Sequence, residues 1–169
     1  EREFKDFIEK AGIPSASTLL GLSALPSDHE LHVGMVGMHG NYAPNVLTNS
    51  CDVLIAIGMR FDDRVTGNLE TYAKQAKIVH FEIDPAEVDK NVKTDVAVLG
   101  NVKETLSAIL PLIEKKQHKE WMQQFHDLYD IEFKEVIDGQ INVGTEGLTM
   151  AETIVALNKA TKGEAVIVS

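Results

Sequence analysis

Val53-Leu54-Ile55-Ala56-Ile57-Gly58-Met59-Arg60-Phe61-Asp62-Asp63-Arg64-Val65-Thr66-Gly67 is the stretch on which the reading of this chain turns. Its first five residues are apolar without alternation, as in a strand buried on both faces, and Gly58 ends the run before a charged loop. The same order of strand and turn recurs on either side. Lys77–Ile83 runs into Asp84-Pro85, Val96–Leu99 into Gly100-Asn101, and upstream Ser15–Leu19 into Leu20-Gly21. Helical candidates lie between them around Tyr42–Ser50 and Asn68–Ala76. Strands alternating with helices at this pitch predict an α/β fold, a three-layer arrangement in which a parallel sheet carries helices on both faces.

Further out, Phe4, Phe7, Ile8 and Ala11 recur at helical spacing until Gly12 and Pro14 stop the pattern. Asn101–Lys116 is a predicted helix that buries Val102, Leu106, Ile109, Leu110 and Ile113, and Pro111 kinks or splits it. Lys119–Ile137 follows with Trp121, Phe125, Leu128 and Phe133. Asp138–Gly147 reads as a linker. Thr149 and Glu152 then form a capping box for one more helix, which leads through Gly163 into an apolar strand, Ala165–Ser169. These signals divide the chain into a main domain at 1–117, a connecting helix and linker at 118–147, and the start of a second domain at 148–169. The chain opens on Glu1-Arg2-Glu3-Phe4 with no initiator Met and closes on that apolar run, so both ends read as cut.

Composition narrows the function. The 169 residues are 44% hydrophobic and 25% charged, with net charge -10. No apolar run approaches the ~18–20 residues of a membrane span, and a nucleic-acid surface would ask for a basic stripe. A small anionic ligand stays open, because a few N–H groups and one or two arginines can hold it. Cys51 is the single cysteine, which excludes an internal disulfide and a thiolate zinc site. It reads as a half-buried packing residue and fits an intracellular, reducing compartment, cytoplasmic if the source is bacterial. No Gly-x-Ser-x-Gly and no Cys/His pair is present, and His29 and His32 have no third partner nearby. No catalytic residue and no metal ligand is assigned.

In open parallel sheets, ligands bind just beyond the carboxyl ends of the strands. The distinctive residues cluster there: Thr18-Leu19, Gly58–Val65, Glu82-Ile83-Asp84 and Gly100-Asn101. Arg2, Arg60 and Arg64 are the only arginines, and two of the three share one strand-end loop. Guanidinium forks suit phosphate and flat rings, although these two could simply pair with Asp62 and Asp63 on a solvated loop. Glu82 stands where nucleotide-binding folds place an acid against ribose, while Asp84 reads better as the cap of a short helix. Gly34-Met35-Val36-Gly37-Met38-His39-Gly40 offers bare backbone to a ligand, or a tight connection with Met35 and Met38 as core fillers. On residues alone the reading stops at an α/β domain with a nucleotide-like site.

Four segments carry a resemblance: Leu20-Gly21-Leu22-Ser23-Ala24-Leu25-Pro26-Ser27-Asp28-His29, Gly34–Gly40, Gly58–Gly67, and Glu82-Ile83-Asp84-Pro85-Ala86-Glu87. In order and spacing they resemble the central, Rossmann-like domain of acetolactate synthase catalytic subunits, which are thiamine-diphosphate enzymes. The likeness runs from residue 1 to about 116 and more loosely beyond. Arg60–Gly67 is its most specific part; pyruvate oxidase and glyoxylate carboligase are less similar there. The resemblance implies a three-domain subunit with FAD extended across this domain. It places Thr18, Leu19, Val36, Gly37, Met38 and His39 against the flavin cofactor. It gives Gly58, Met59, Arg60, Phe61, Asp62, Arg64 and Val65 to the ribityl-diphosphate region, and Glu82, Ile83, Asn101 and Val102 to the adenosine half. Asn101 stands where relatives often carry Asp, a position at which an amide can still hydrogen-bond adenine. Met38, Asp63 and Arg64 match positions lining the herbicide pocket of such enzymes. The implied reaction decarboxylates pyruvate and joins the two-carbon unit to a second 2-oxo acid, with FAD taking no net redox part. Thiamine diphosphate and magnesium belong to the flanking domains, as does the activating glutamate, and no Gly-Asp-Gly occurs here. A strand before the first helix belongs to the pattern and lies outside this sequence. The implied partners are FAD, the flanking domains, and further subunits in a dimer or tetramer, with or without a regulatory small subunit. A ligand-free spacer and a stand-alone nucleotide module are the alternatives.

Overall fold

Apolar runs become parallel strands here, as seen in the computed structural model, which describes residues 1–144 and 147–166. It contains β1 (Ser15–Ser17), β2 (His32–Met35), β3 (Val53–Ile57), β4 (Lys77–Glu82) and β5 (Val96–Leu99). The main helices are α1 (Arg2–Ala11), α2 (Tyr42–Thr48), the single turn α3 (Asp63–Thr66), α4 (Val102–Ile109), α5 (Lys119–Glu132), α6 (Asp138–Ile141) and α7 (Met150–Thr161). All strand pairing is parallel, in two sheets ordered β1-β2 and β3-β4-β5. The α/β class and the parallel pairing agree with the sequence reading. The sheet differs, being split between β1 and β3.

The period of two along β3 and β4 explains their unbroken hydrophobicity. Ile55, Ile57, Val79 and Phe81 pack into one core with Phe7 and Ile8 of α1 and Leu106 of α4. Leu54, Ala56 and Ile78 pack on the opposite side with Phe61, Tyr72 and Ala73. Two compact units result, Glu1–Asp127 and Leu128–Ser169. The first takes in most of α5, in which Phe125 is buried and Met122 packs on the first core. The connection back to α1 is pinned as well, since Lys116 N–H donates to the Lys10 carbonyl at 3.0 Å and Lys10 Nζ to the Leu110 carbonyl at 2.8 Å.

Several boundaries moved for local reasons. Ser15–Leu19 stops at Ser17, and a tight turn at Leu19–Gly21 follows. β4 ends at Glu82 rather than Ile83 because the Glu82 carboxylate captures the N–H groups of Ile83 and Asp84. β2 went unread because Gly34 interrupts its short apolar pattern. Asn68–Ala76 is not a helix. Asn68 forms an Asx turn onto Glu70 N–H, and Ala73 sits at φ 46 with its N–H given to the Asn49 side chain. Pro111 splits the predicted 101–116 helix as expected, leaving α4 and a short turn at Leu110–Leu112. Lys119–Ile137 is helical throughout, although its last turn widens over Phe133–Ile137.

In the second unit, the first four residues of the expected linker form α6, closed by Asn142 Nδ2 donating to Asp138. The Thr149–Glu152 capping box is present with both of its hydrogen bonds. Thr149 Oγ also donates to the Gln140 carbonyl at 3.1 Å, which ties α7 to α6. The Thr149 backbone N–H and side chain, with the Val143 N–H, hold the Glu152 carboxyl below its ordinary value. Of the expected strand 165–169, residues 167–169 lie outside the described residues, as do 145 and 146 of the linker.

Between β1 and β3 runs an apolar cleft of about 900 Å³, lined by Ser15, Ser17, Val53 and Ile55 and also by Trp121 and Phe125. Among the described residues, each bordering strand has a strand neighbour on one side only.

Tyr72 gives a direct test of the second core. Its ring meets Phe61 edge-on at 6.3 Å, and burial, with the Cys51 thiol nearby, pushes the phenol up to about 12. An unfolded tyrosine ionises near ~10. The phenol's contribution is therefore intact below pH ~10 and is lost as pH climbs toward 12, a change of order 2 kcal/mol. Tyr72→Phe should lose less stability than the parent between pH 9 and 11 in urea melts. Identical losses would mean that the hydroxyl is solvated.

Candidate functional site

The site is built by strands that stop at one level. Gly58 N–H donates to the Phe81 carbonyl at 2.8 Å, and Gly100 N–H to the Glu82 carbonyl at 3.0 Å. The loops after β3, β4 and β5 therefore leave the sheet side by side. Val36 N–H donates to the Ser17 carbonyl at 2.9 Å, which does the same for β1 and β2. One bond joins the two groups of loops: Met38 N–H donates to the Arg64 carbonyl at 2.7 Å.

The glycine loop after β2 is held from inside. Asn41 Oδ1 accepts from Met35 N–H at 3.0 Å. Asn45, on the first turns of α2, clamps both backbone groups of Gly37, accepting from its N–H and donating to its carbonyl at 2.9 Å each. Gly37 itself adopts φ 108. Asn45 was missed by sequence reasoning; its place one helical turn past the glycines was the available signal.

The arginine loop is ordered by its acids. Asp62 caps α3, accepting from Arg64 N–H at 3.1 Å, and lies 3.6 Å from the Arg60 guanidinium. Arg64 approaches Asp63 at 4.0 Å. The Arg60 and Arg64 side chains remain 65% and 73% exposed, so these are surface ion pairs of small worth that leave donors facing outward. Asn91 Nδ2 donates to the Arg60 carbonyl at 3.3 Å and fixes the backbone behind it.

The structure sorts the remaining sequence-selected residues by what they present. Thr18, Val36, Met59 and Val102 line the cleft between β1 and β3. Leu19, Met38, Ile83 and Leu99 are exposed large apolar side chains at or just past the strand ends. His39 is exposed and Val65 half-buried. Phe61 differs from expectation: it is 2% exposed, its ring anchors the second core against Tyr72 and His80, and only its backbone is left for the loop. Asn101 spends its amide oxygen capping α4 through Lys103 N–H at 2.9 Å. Asp84 caps the Pro85–Glu87 turn through Ala86 N–H, as read from sequence. Cys51 is half-buried, and its thiol donates to the Thr48 carbonyl. Burial, reinforced by Asp52, pushes that thiol up and keeps it from being a nucleophile. Among the described residues no three His, Cys, Asp or Glu side chains converge on a metal position, and no helix is long and apolar enough to cross a membrane.

Parallel strands ending at one level, glycine backbone and outward guanidinium groups define an α/β domain of the class that takes ligands at its strand ends. The chain belongs to the family described as "Thiamine pyrophosphate enzyme, central domain", which it matches over residues 1–109. It is 47% identical over 119 residues to the "Probable acetolactate synthase large subunit" of Methanocaldococcus jannaschii, covering 69% of this chain and 20% of that protein. It is 40% identical over 167 residues to "Acetolactate synthase 1, chloroplastic" of Zea mays, covering 98% of the chain and 26% of the relative. The "Acetolactate synthase large subunit" of Lactococcus lactis gives 40% over 167 residues, or 98% and 28%. The chain thus spans between about a fifth and three tenths of the length of these relatives.

Proposed function

We propose that this chain is the central domain of an acetolactate synthase catalytic subunit and that its own task is to hold FAD. The identity to relatives bearing that name supports the parent enzyme. One observation carries the ligand: the loops after β1–β5 converge on a rim where exposed apolar side chains, open glycine backbone and two outward arginines stand together. At Gly58 even a methyl group would meet no atom within 4 Å, so the rim has room for a ligand against bare backbone. Those residues fit a flavin dinucleotide. Arg60 and Arg64 would take its diphosphate, Leu19, Met38 and Ile83 its flat rings, and Glu82 its adenosine ribose.

When bound, FAD would serve as a structural ligand with no net redox turnover. Thiamine diphosphate and magnesium would be held by the flanking domains of the same subunit, with the chemistry on 2-oxo acids carried out there. In the same reading, residues 1–117 form the central domain, 118–147 the connection and 148–169 the start of the thiamine-binding domain. The apolar cleft of about 900 Å³ between β1 and β3 would take one more parallel strand, the family's strand before α1. The full-length subunit would work as a dimer or tetramer inside the cell.

The test is flavin content. Full-length subunit purified without added cofactor and dialysed against FAD should retain about one FAD per chain, read by absorbance after acid release. Acetolactate formation with no retained flavin would overturn the FAD assignment and leave the domain a spacer.

A further inference from the structure

Directly beneath the rim lies a histidine that nothing above uses. His80 is 0% exposed on β4, the middle strand of its sheet. It fits there because its register neighbours on β3 and β5 are Ala56 and Ala97. The Phe61 ring packs edge-on against it at 5.1 Å. Neither ring nitrogen has a hydrogen-bond partner among the described residues. A buried imidazole with both nitrogens unsatisfied is costly, so such a group calls for a reason. Two residues along the strand, on the same face, stands Glu82, itself 6% exposed. Glu82 Oε1 is committed, accepting Ile83 N–H at 2.8 Å and Asp84 N–H at 3.1 Å. Oε2 is not, and His80 Nε2 lies 3.7 Å from it. That is a few tenths of an ångström beyond the ~3.2 Å reach of an N–H···O bond, within what a small side-chain rotation closes.

We propose that His80 is a positioning residue for Glu82: it carries a proton on Nε2 and lends it to Oε2, so that the carboxylate is held at both oxygens and turns its outward lone pairs to the ribose hydroxyls of the dinucleotide. The inference rests on the FAD reading. Backbone amides fix one end of the carboxylate, and without a second donor it can pivot about that end. The imidazole removes the pivot. Phe61 and the two alanines hold the ring in plane from the sides, which gives the buried Phe61 a share in the site that its exposure conceals.

The test uses full-length subunit, with FAD and FMN as probes; FMN lacks the adenosine half. His80→Phe fills the same space without a donor and should weaken FAD binding by about ten-fold, one hydrogen bond's worth, with FMN affinity unchanged. His80→Gln offers a side-chain N–H in place of Nε2 and should return FAD affinity to within about three-fold of the parent. A packing role alone would move both ligands together, or the melting temperature alone, and either result overturns the proposal. Glu82→Ala separates the two levels of inference. If it leaves FAD affinity intact, the ribose role of Glu82 itself fails; if it weakens FAD while His80→Phe does not, only the positioning role fails. A measurement without mutation stands beside these. In the 15N-histidine-labelled 169-residue chain, long-range proton–nitrogen correlations should show His80 protonated at Nε2, and a bare Nε2 would overturn the proposal.

Discussion

Arg60→Ala in the full-length subunit is expected to weaken FAD binding by about one to two orders of magnitude while leaving the fold in place. The two halves of that expectation have separate causes. Arg60 contributes little to stability: its partner Asp62 is 3.6 Å away and its side chain is 65% exposed, and such pairs are worth at most ~1 kcal/mol. Asp62 keeps its other task, capping α3 through Arg64 N–H, so the loop survives truncation of its neighbour. The melting temperature of the ligand-free protein should move by no more than roughly 4 °C. Binding is different, because a charge-assisted hydrogen bond to phosphate is worth about 1.5–3 kcal/mol, or ~10- to 150-fold. Arg60→Lys should recover only part of the loss, since an ammonium keeps the charge and gives up the planar fork. Affinities come from fluorescence quenching of FAD. Undiminished affinity in Arg60→Ala would remove Arg60 from the site.

How far the sequence could be read depended on whether one residue settled a feature or several distant ones did. The bounds of Val53–Ile57 and Val96–Leu99 were legible to the residue because an apolar run ending in glycine states where the strand stops, although Val53, Val96 and Leu99 are left exposed. The capping box at Thr149 was legible because its reciprocal bonds span only three residues. Asn68–Ala76 misled for the opposite reason. Its composition permits a helix, but the N–H of Ala73 goes to Asn49, 24 residues earlier, and no local pattern announces such a partner. The site followed the same rule. Placing Arg60, Glu82 and the glycines at strand ends required only the parallel topology. Phe61 sits inside a loop of charged residues, yet its ring turns inward at φ 52 and becomes core, which depends on the hole left between Tyr72 and His80. Asn45 and His80 were invisible for a related reason: each acts on a residue that lies elsewhere in sequence or on the next turn of a strand.

Gly37→Ala is the second substitution with a large expected effect, and its mechanism can be isolated by comparison with Gly58→Ala. Both glycines have positive φ, 108 at Gly37 and 61 at Gly58. They differ in what an added methyl group meets. At Gly58 nothing lies within 4 Å, so alanine there carries only the left-handed conformational penalty of about 1–2 kcal/mol. At Gly37 the methyl carbon would lie 2.7 Å from the Arg64 carbonyl oxygen and 3.3 Å from Val65 Cα, both backbone atoms. Neither side can yield easily. Asn45 clamps the Gly37 peptide from within, and the same Arg64 carbonyl accepts the Met38 N–H at 2.7 Å. Relief requires opening that bond, which is the link between the glycine loop and the arginine loop. Strain of about 1–3 kcal/mol and a lost hydrogen bond of about 0.5–1.5 kcal/mol then add, and Gly37→Ala should cost near 3 kcal/mol, roughly 6–12 °C in melting temperature. Gly58→Ala should cost about half as much in stability, yet should still impair FAD binding, because its methyl group stands in the space assigned to the ligand. Thermal melts of the two ligand-free variants, followed by FAD titration, separate the effects. Equal melting temperatures for the two variants would show that the Gly37–Arg64 approach is not the joint that holds the two loops together.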